Sequence, residues 1–476
     1  MGIKHLKYCL AFSILFFTIT ATSQTEVKNK IVDFTTLLPI ESASIYVKNT
    51  TIGTVSNSDG KFLLQVPQEF EKDTLIISSI GYKSFKVPVN EFDNSVDVYL
   101  EEDVASLDEI VLIAETRPKT GNEIVLRAME KLSNNLPDSA YIQKGFLRHK
   151  ERNKVEFKWL IESAITVYDS GYGSKSSDYL KINVDQMRKS YDLRDVDSIF
   201  SYVSYKNQTT RSRRLKPKDV RRSQLRTSQL VDAIKWNDNR VNGLQNIFQG
   251  KLNLLRNADD AKALFGENIL DKHQFELDTI LVDNDRKIYK IKISESTDFV
   301  GLGTKGIFNE GYVANGWLYI YYDNYAIKKI EYELIAASDA QKVRSKRLFD
   351  TQVNHKLVIT YIEYEDKMYP NYIYYETPKL VNVGFKADEK VSDEEKERYN
   401  KEERYYYTVQ EILFSEIILD KEVIKTTLND KWDMDIFSPK PYNKDFWKNY
   451  NILLESEEDE KLIEDLSTRA SLFKDN

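Results

Sequence analysis

The alternation of apolar and polar positions predicts that the chain begins with a small β-sandwich. Between residues 25 and 102, short alternating runs are separated by turn residues at intervals of roughly ten positions, which is typical of sandwich domains. The clearest turn is 57–60, Asn-Ser-Asp-Gly, where Asn and Asp can bond their own backbone and Gly60 can adopt a positive φ. We expect strands at 27–34, 40–47, 62–66, 75–80, 85–89 and 96–100.

The pattern further along predicts a helix followed by a large antiparallel sheet. Apolar residues recur at helical spacing over 120–136 and again within 219–264. From residue 273, long alternating runs are joined by polar dipeptides such as Asn284-Asp285, which predicts consecutive hairpins. Strands are expected at 141–148, 157–168, 179–184, 275–282, 287–294, 317–322, 326–334, 356–364, 369–375 and 405–419. We therefore expect a mainly β fold in which a large curved, half-barrel-like antiparallel sheet carries helices.

Short motifs fall in a characteristic order along the predicted sandwich. They are Pro39-Ile40, Ala43-x-Ile45-x-Val47, Gly53-Thr54, Asp59-Gly60-Lys61-Phe62 and Ile80-Gly81-Tyr82. In this order they resemble the carboxypeptidase regulatory-like (peptidase-associated) domain, a transthyretin-like, immunoglobulin-like β-sandwich. One departure is Asn29-Lys30, where the family usually has Gly. In that family the domain is a non-catalytic accessory, so the resemblance implies no peptidase activity.

A further motif follows at residues 107–112, which read Leu-Asp-Glu-Ile-Val-Leu. It resembles the segment after the same domain in TonB-dependent outer-membrane receptors, which implies contact with an energy-transducing partner. A final strand followed by a linker explains the same residues equally well. Both interpretations stay open on the sequence alone.

The strand order from Tyr289 to Ile327 is similar to that of the periplasmic lipoprotein-carrier half-barrel class. This resemblance implies a concave apolar face that can hold acyl chains or another elongated ligand. The candidate groove residues are aromatic and lie in the long strands: Trp317, Tyr319, Tyr321, Tyr361 and Tyr374. The alternative is that these rings form the core of the sheet, with polar tips at the surface.

The N-terminus predicts export. Lys4 and Lys7 precede an apolar run over 10–19, and Ala21-Thr22-Ser23 suits cleavage, so 1–23 is read as a signal peptide. Cys9 is the only cysteine, so the mature chain is expected to lack disulfides. No later stretch is apolar enough for a membrane span, and a net charge of -7 gives no reason to expect nucleic-acid binding. The expected location is the periplasm or the outer membrane surface.

Composition shifts divide the remaining chain. The sandwich is assigned to 24–102, a linker to 103–118, and the helix with the curved sheet to 119–430. Residues 431–476 contain an aromatic cluster around Phe446-Trp447 and Tyr450, followed by an acidic helix. We expect the aromatic cluster to attach this tail to the sheet.

The sequence does not support a zinc site, although two residues have a suggestive spacing. His273 and Glu276 have the ligand spacing of metallocarboxypeptidases, and His355 is a conceivable third ligand. However, 273–279 continues a strand of period two, which sends His273 and Glu276 to opposite faces. The nucleophile, phosphate-loop and dinucleotide motifs are also missing. We therefore expect no catalytic residues, no metal and no cofactor.

A dense basic run in this acidic protein is a candidate anion-binding surface. Its candidate residues are Arg211, Arg213, Arg214, Lys216, Arg221 and Arg222. Arginine favours bidentate contacts with phosphate or carboxylate groups. A solvated loop is the alternative interpretation of the same residues.

Two functional hypotheses from different classes follow, both without catalysis. The first is an exported envelope protein that binds an apolar or elongated ligand on its curved sheet. The second is a protein-interaction or accessory module for an outer-membrane receptor complex. The expected partners are an envelope lipid, a glycan or an outer-membrane protein. A metal-dependent hydrolase is the third and least supported hypothesis.

Overall fold

A computed structural model describes the chain in segments. The described residues are 24–103, 117–152, 157–174, 178–191, 198–210, 215–260, 263–301, 310–349, 352–380, 405–438 and 440–469. The predicted signal peptide at 1–23 and the motif at 107–112 lie outside these segments. Both therefore remain predictions.

The N-terminal segment is a β-sandwich, as predicted. One sheet has the strand order β4-β1-β7 and the other β3-β2-β5-β6. The core between them includes Ile31, Ile45, Phe62 and Leu75, all buried. The strands are β1 Gln24–Asp33, β2 Ser44–Val47, β3 Gly53–Val55, β4 Lys61–Pro67, β5 Thr74–Ser78, β6 Phe85–Pro88 and β7 Val98–Leu100. The short strand β3 was not predicted, because three residues give too little alternation to recognise.

The turn at 57–60 forms as its residue types predict. Asn57 Oδ1 accepts hydrogen bonds from the backbone N–H groups of Asp59 (3.0 Å) and Lys61 (2.9 Å). Gly60 has φ +76, and a Cβ at this position would lie 2.4 Å from the carbonyl oxygen of Ile31. Only glycine satisfies both the backbone conformation and the close approach.

The rest of the chain is built around one eleven-stranded antiparallel sheet, which confirms the predicted mainly β fold. Its order is β10-β9-β8-β18-β17-β16-β15-β14-β12-β11, with β13 paired to β14. The strands are β8 Tyr141–Arg152, β9 Phe157–Asp169, β10 Leu180–Tyr191, β11 His273–Asp283, β12 Arg286–Glu295, β13 Val300–Gly301, β14 Glu310–Tyr321, β15 Ile327–Ala336, β16 Asn354–Tyr364, β17 Lys367–Leu380 and β18 Tyr405–Ile418. Strand β18 joins the last hairpins to β8, so the sheet unites distant parts of the sequence.

The predicted hairpins are present. Asn284-Asp285 and Glu365-Asp366 both place two consecutive residues at positive φ, between 48° and 66°, which is the geometry of a type I′ turn. The helices lie at Gly121–Glu130, Leu132–Asn135, Ser198–Thr209, Thr227–Asn242, Leu244–Phe248, Ile269–Lys272, Asp339–Phe349, Lys421–Thr427, Lys444–Lys448 and Glu457–Arg469. The expected helical region 219–264 is thus helical only in part. In the described segments, none of these helices combines the length and apolar content needed to cross a bilayer.

The two faces of the sheet are covered by different parts of the chain. Strand pairing aligns Leu318, Ile359 and Leu147 on one face, which we call the helical face. Phe248 and Phe265, from the segment between β10 and β11, pack edge-to-face on this face against Phe414 and Tyr332 respectively.

The opposite face, which carries Tyr319, Thr360 and Arg148, is called the sandwich face. The sandwich reaches the edge of the sheet through a hydrogen bond from Gly81 N–H to the carbonyl of Val282 (2.8 Å). The C-terminal tail lies beside it on the same side of the sheet, and its Trp447 packs edge-to-face on Phe146. As expected, the aromatic residues attach the tail to the sheet.

The tail also binds the sandwich directly. Asn57 donates to the carbonyl of Glu455 (2.7 Å), and Asn451 Oδ1 accepts from the backbone N–H of Gln65 (2.8 Å). The N–H of Glu457 donates to Asp59 Oδ2 (2.7 Å). The predicted turn therefore serves as the attachment point of a segment about 400 residues further along the chain.

Candidate functional site

The candidate groove residues do not share one surface. Trp317, Tyr319 and Tyr374 lie on the sandwich face. The strand register aligns Tyr319 with Lys329, Thr360 and Tyr372 across neighbouring strands, so these positions share one face. Trp317 and Tyr374 are each two residues from an aligned position and therefore point to the same side. Tyr321 belongs to the same face and donates to Asp283 (2.6 Å). Tyr361 lies on the helical face, where burial raises its pKa. A ligand in contact with all of them would have to cross the sheet.

The helical face is a packed core. Leu255, Phe248 and Tyr361 surround a cavity of only about 30 Å³ between this face and its helices. A cavity of this size holds one or two water molecules at most. Arg256 and Asp169 form a buried ion pair at its wall, with Nε and Oδ2 2.8 Å apart. An acyl chain has no room here in the described structure.

The histidines are structural parts of this core. His273 Nδ1 contacts the carbonyl of Ile269 (2.9 Å), and Nε2 contacts the hydroxyl of Tyr332 (2.8 Å). Burial lowers the pKa of His273 to about 4, and burial lowers the pKa of His355 to about 4 as well. Glu276 is exposed while His273 is buried, as the period-two strand predicted. Within the described segments, no three His, Cys, Asp or Glu residues are gathered as metal ligands.

The basic run lies largely outside the described residues. Arg211, Arg213 and Arg214 are not described, and of Arg222 only the backbone is described. Arg221 is exposed, and the backbone N–H of Lys216 donates to Asp219 (3.2 Å). Anion binding by this run remains a prediction.

A polar crevice lies between the sandwich and the sandwich face of the sheet. Its deeper part has a volume of about 190 Å³ and is lined by sandwich serines and by Tyr319, Lys328 and Thr360 of the sheet. An adjoining part of about 360 Å³ contains Trp317, and the two share Ser42 and Lys329. Two of the aromatic candidates, Trp317 and Tyr319, therefore meet at a real surface depression, although it is polar.

A β-bulge gives the crevice its charge. Tyr319 pairs with Lys329 and Ile320 pairs with Ile327, so Lys328 is the extra residue between them. The bulge allows both lysines to line the crevice while Ile327 joins the buried core. The sequence signal for this bulge is the doublet Lys328-Lys329, two consecutive lysines within an otherwise alternating strand. The sequence prediction of the groove did not include it.

The sandwich also presents an exposed apolar tip, defined here as Phe34, Leu37, Leu38 and Tyr99. These side chains are 58%, 64%, 63% and 47% exposed, and the Phe34 and Tyr99 rings contact each other edge-to-face at 6.5 Å. Leu37 has φ +59, a left-handed conformation that is costly for a leucine. An exposed leucine held in such a conformation, beside other exposed apolar side chains, marks the tip as a candidate contact surface.

Asp33 holds the tip in place. Its Oδ1 accepts from the N–H groups of Thr35 (2.9 Å) and Thr36 (2.6 Å), and its Oδ2 accepts from the Tyr82 hydroxyl (2.9 Å). The hydrogen bond from Thr36 is the main reason why the pKa of Asp33 is lowered. The conformation of the tip is therefore fixed by hydrogen bonds within the sandwich itself.

Parts of the chain are similar to known proteins. Residues 27–112 match the model of the CarboxypepD_reg-like domain family. A stretch of 130 residues is 32% identical to the TonB-dependent receptor SusC of Bacteroides thetaiotaomicron. That alignment covers 26% of this chain and only 12% of the receptor.

Solved structures with similarity to the chain share little sequence with it. A LolA superfamily protein from Nitrosomonas europaea is 10% identical with a TM-score of 0.20, covering 64% of this chain and 95% of that protein. A DUF1329 family protein from Desulfovibrio piger is 10% identical with a TM-score of 0.26, covering 63% and 92%. A putative membrane-associated protein of unknown function from Bacteroides fragilis is 8% identical with a TM-score of 0.13, covering 83% and 96%.

TM-scores this low support no inference about function. The family match agrees with the motifs and with the strand order of the sandwich. The N-terminal sandwich is a CarboxypepD_reg-like domain.

Proposed function

We propose that this protein is a non-enzymatic, exported envelope protein that docks onto an outer-membrane receptor complex through the tip of its sandwich. The observation that carries the proposal is the rigid apolar tip, in which Leu37 and Leu38 are exposed on a turn fixed by Asp33. The sequence similarity to a TonB-dependent receptor supports an envelope location and a receptor as the partner.

The geometry favours docking over the alternative of an apolar ligand held on the helical face of the large sheet. A ligand on the helical face would have to displace buried residues such as Phe248, Leu255 and Phe265. Removing large apolar side chains from a core costs about 3–5 kcal/mol each. Docking through the tip instead buries side chains that are already exposed, each contributing up to ~1–2 kcal/mol.

Co-purification tests this docking. The double variant Leu37→Asn, Leu38→Ser should lose most of the receptor that co-purifies with the wild-type protein from solubilised envelopes. Asparagine tolerates positive φ, so this variant should fold at least as stably as the wild type. The receptor is identified by mass spectrometry and should be of the TonB-dependent class.

Val343→Ser is the matched control, because Val343 is 67% exposed but lies far along the chain on another element. The control should retain the receptor. Equal recovery with the tip variant and the control would contradict docking through the tip.

A further inference from the structure

The deeper part of the crevice has the features of a built binding site. Thr360 is only 5% exposed, and its Oγ1 has no hydrogen-bond partner among the described residues. Thr360 is among the residues that line the cavity of about 190 Å³. Buried polar atoms in proteins are nearly always paired, so an unpaired one beside an open cavity indicates a missing ligand or solvent partner.

The charge of Lys328 is available to the same cavity. Its ammonium donates to the backbone carbonyl of Tyr361 (2.9 Å), and it forms no ion pair with any described residue. The neighbouring lysines differ, because Lys329 pairs with Glu331 (2.7 Å) and Lys290 lies 3.6 Å from Asp278. Lys328 is therefore the lysine with unused charge and donor capacity.

Asp283 is the one acid among the residues that line the deeper part of the crevice, and its carboxylate already has a hydrogen-bond partner. Asp283 accepts a hydrogen bond from the Tyr321 hydroxyl (2.6 Å). The negative charge of Asp283 also acts on Tyr46. Burial is the main cause that raises the pKa of Tyr46 to about 12, and the charge of Asp283 raises this pKa further. The remaining polar side chains of the lining can all donate hydrogen bonds, including the hydroxyls of Ser42, Ser44 and Ser79. A donor-rich pocket with one uncompensated ammonium suits an acceptor-rich, negatively charged group.

We infer that this crevice binds a small oxyanion, a phosphate or carboxylate group, held between Lys328 and Thr360 of the sheet and the serine hydroxyls of the sandwich. The volume is large enough for such a group together with several water molecules. The bulge at Lys328 is what turns the ammonium toward the site. This binding would occur independently of docking through the tip.

Calorimetric titration of the full chain with inorganic phosphate, and separately with succinate, tests the inference. The wild type should bind at least one of the two probes saturably in the millimolar range. Lys328→Met should weaken binding by about tenfold or more, which corresponds to ~1.4 kcal/mol per factor of ten. Phosphate binding alone would identify a phosphate site, and succinate binding alone a carboxylate site.

Thr360→Val provides the second variant. It should weaken binding about threefold to tenfold while leaving the melting temperature unchanged or raised, because the lost hydroxyl has no hydrogen-bond partner in the described part of the chain. Lys292→Met is the matched control, since Lys292 lies near Trp317 on the same face but outside the cavity. Failure of the wild type to bind either probe, or unchanged binding by Lys328→Met, would overturn the inference.

Discussion

Replacement of Arg148 by methionine is expected to destabilise the protein by about 3–5 kcal/mol, because it leaves buried carboxylates without their partner. The Arg148 side chain is 2% exposed. Its guanidinium lies 2.9 Å from Glu162, 2.7 Å from Glu455 and 3.7 Å from Glu411, and it donates to the carbonyl of Leu453 (2.6 Å). It therefore joins the sheet to the tail.

The pKa shifts in this cluster indicate how the effect depends on pH. Burial opposes ionisation of Glu411, but Lys150 and Arg148 outweigh it, so the pKa of Glu411 lies below its usual 4.5. A carboxyl whose pKa is lowered on folding stabilises the protein at pH values above the pKa that the carboxyl has in the unfolded chain. That contribution is lost as the pH falls through the folded pKa. Glu455 has the opposite sign, because burial raises its pKa above 4.5 despite Arg148 and Lys150.

Urea unfolding of wild type and Arg148→Met, at neutral pH and at successively lower pH, measures this contribution. The difference in unfolding free energy should be largest at neutral pH. It should narrow as the pH falls towards 4.5, because Glu455 takes up a proton and no longer needs a cation.

Lys144→Met is the matched control on the same strand. Its ion pair with Glu416 is 3.3 Å long and about half exposed on both sides, so its loss should cost no more than ~1 kcal/mol. Equal losses of unfolding free energy in Arg148→Met and Lys144→Met would contradict the prediction, because Arg148 would then contribute no more than a surface charge.

Replacement of Phe265 by alanine should cost about 3–5 kcal/mol, since it removes a fully buried ring from the helical face. The ring centroid of Phe265 lies 5.3 Å from that of His273 and 5.6 Å from that of Tyr332, both edge-to-face. Such contacts add to the loss of buried apolar area. The effect follows from the helical segment being part of the core rather than a removable cover.

Thermal and urea unfolding, with lipid binding measured in parallel, show whether the helical segment is part of the core or a removable cover. Phe299→Ala is the matched control, because Phe299 is 53% exposed and its loss should change stability by at most ~0.5 kcal/mol. A removable cover would instead make Phe265→Ala nearly neutral and would increase binding of a fluorescent fatty acid.

Much of the backbone could be predicted because its signals are local. The turn at 57–60 depends on Asn57 and Gly60, which lie within the turn itself. The hairpin at Asn284-Asp285 likewise depends on residue types that tolerate positive φ, whereas at Glu365-Asp366 only Asp366 is of such a type. Local chemistry of this kind is visible in a single sequence.

The crevice and the buried charge cluster around Arg148 could not be predicted, because they depend on contacts between distant segments. Arg148 and Lys150 alternate along β8 as if they faced solvent, yet both are buried under a tail about 300 residues away. The candidate groove residues share an aromatic residue type, but residue type does not determine the face of the sheet on which a side chain lies. The consecutive residues Thr360 and Tyr361 point to opposite sides, so Tyr361 became separated from Tyr319.

The most direct test of docking is site-specific photo-crosslinking in living cells, with a photoreactive residue at Leu38 and, separately, at Val343. Docking through the tip predicts an adduct with a TonB-dependent receptor from Leu38 and none from Val343, although both positions are largely exposed. Absence of a receptor adduct from Leu38, or equal adducts from both positions, would contradict it.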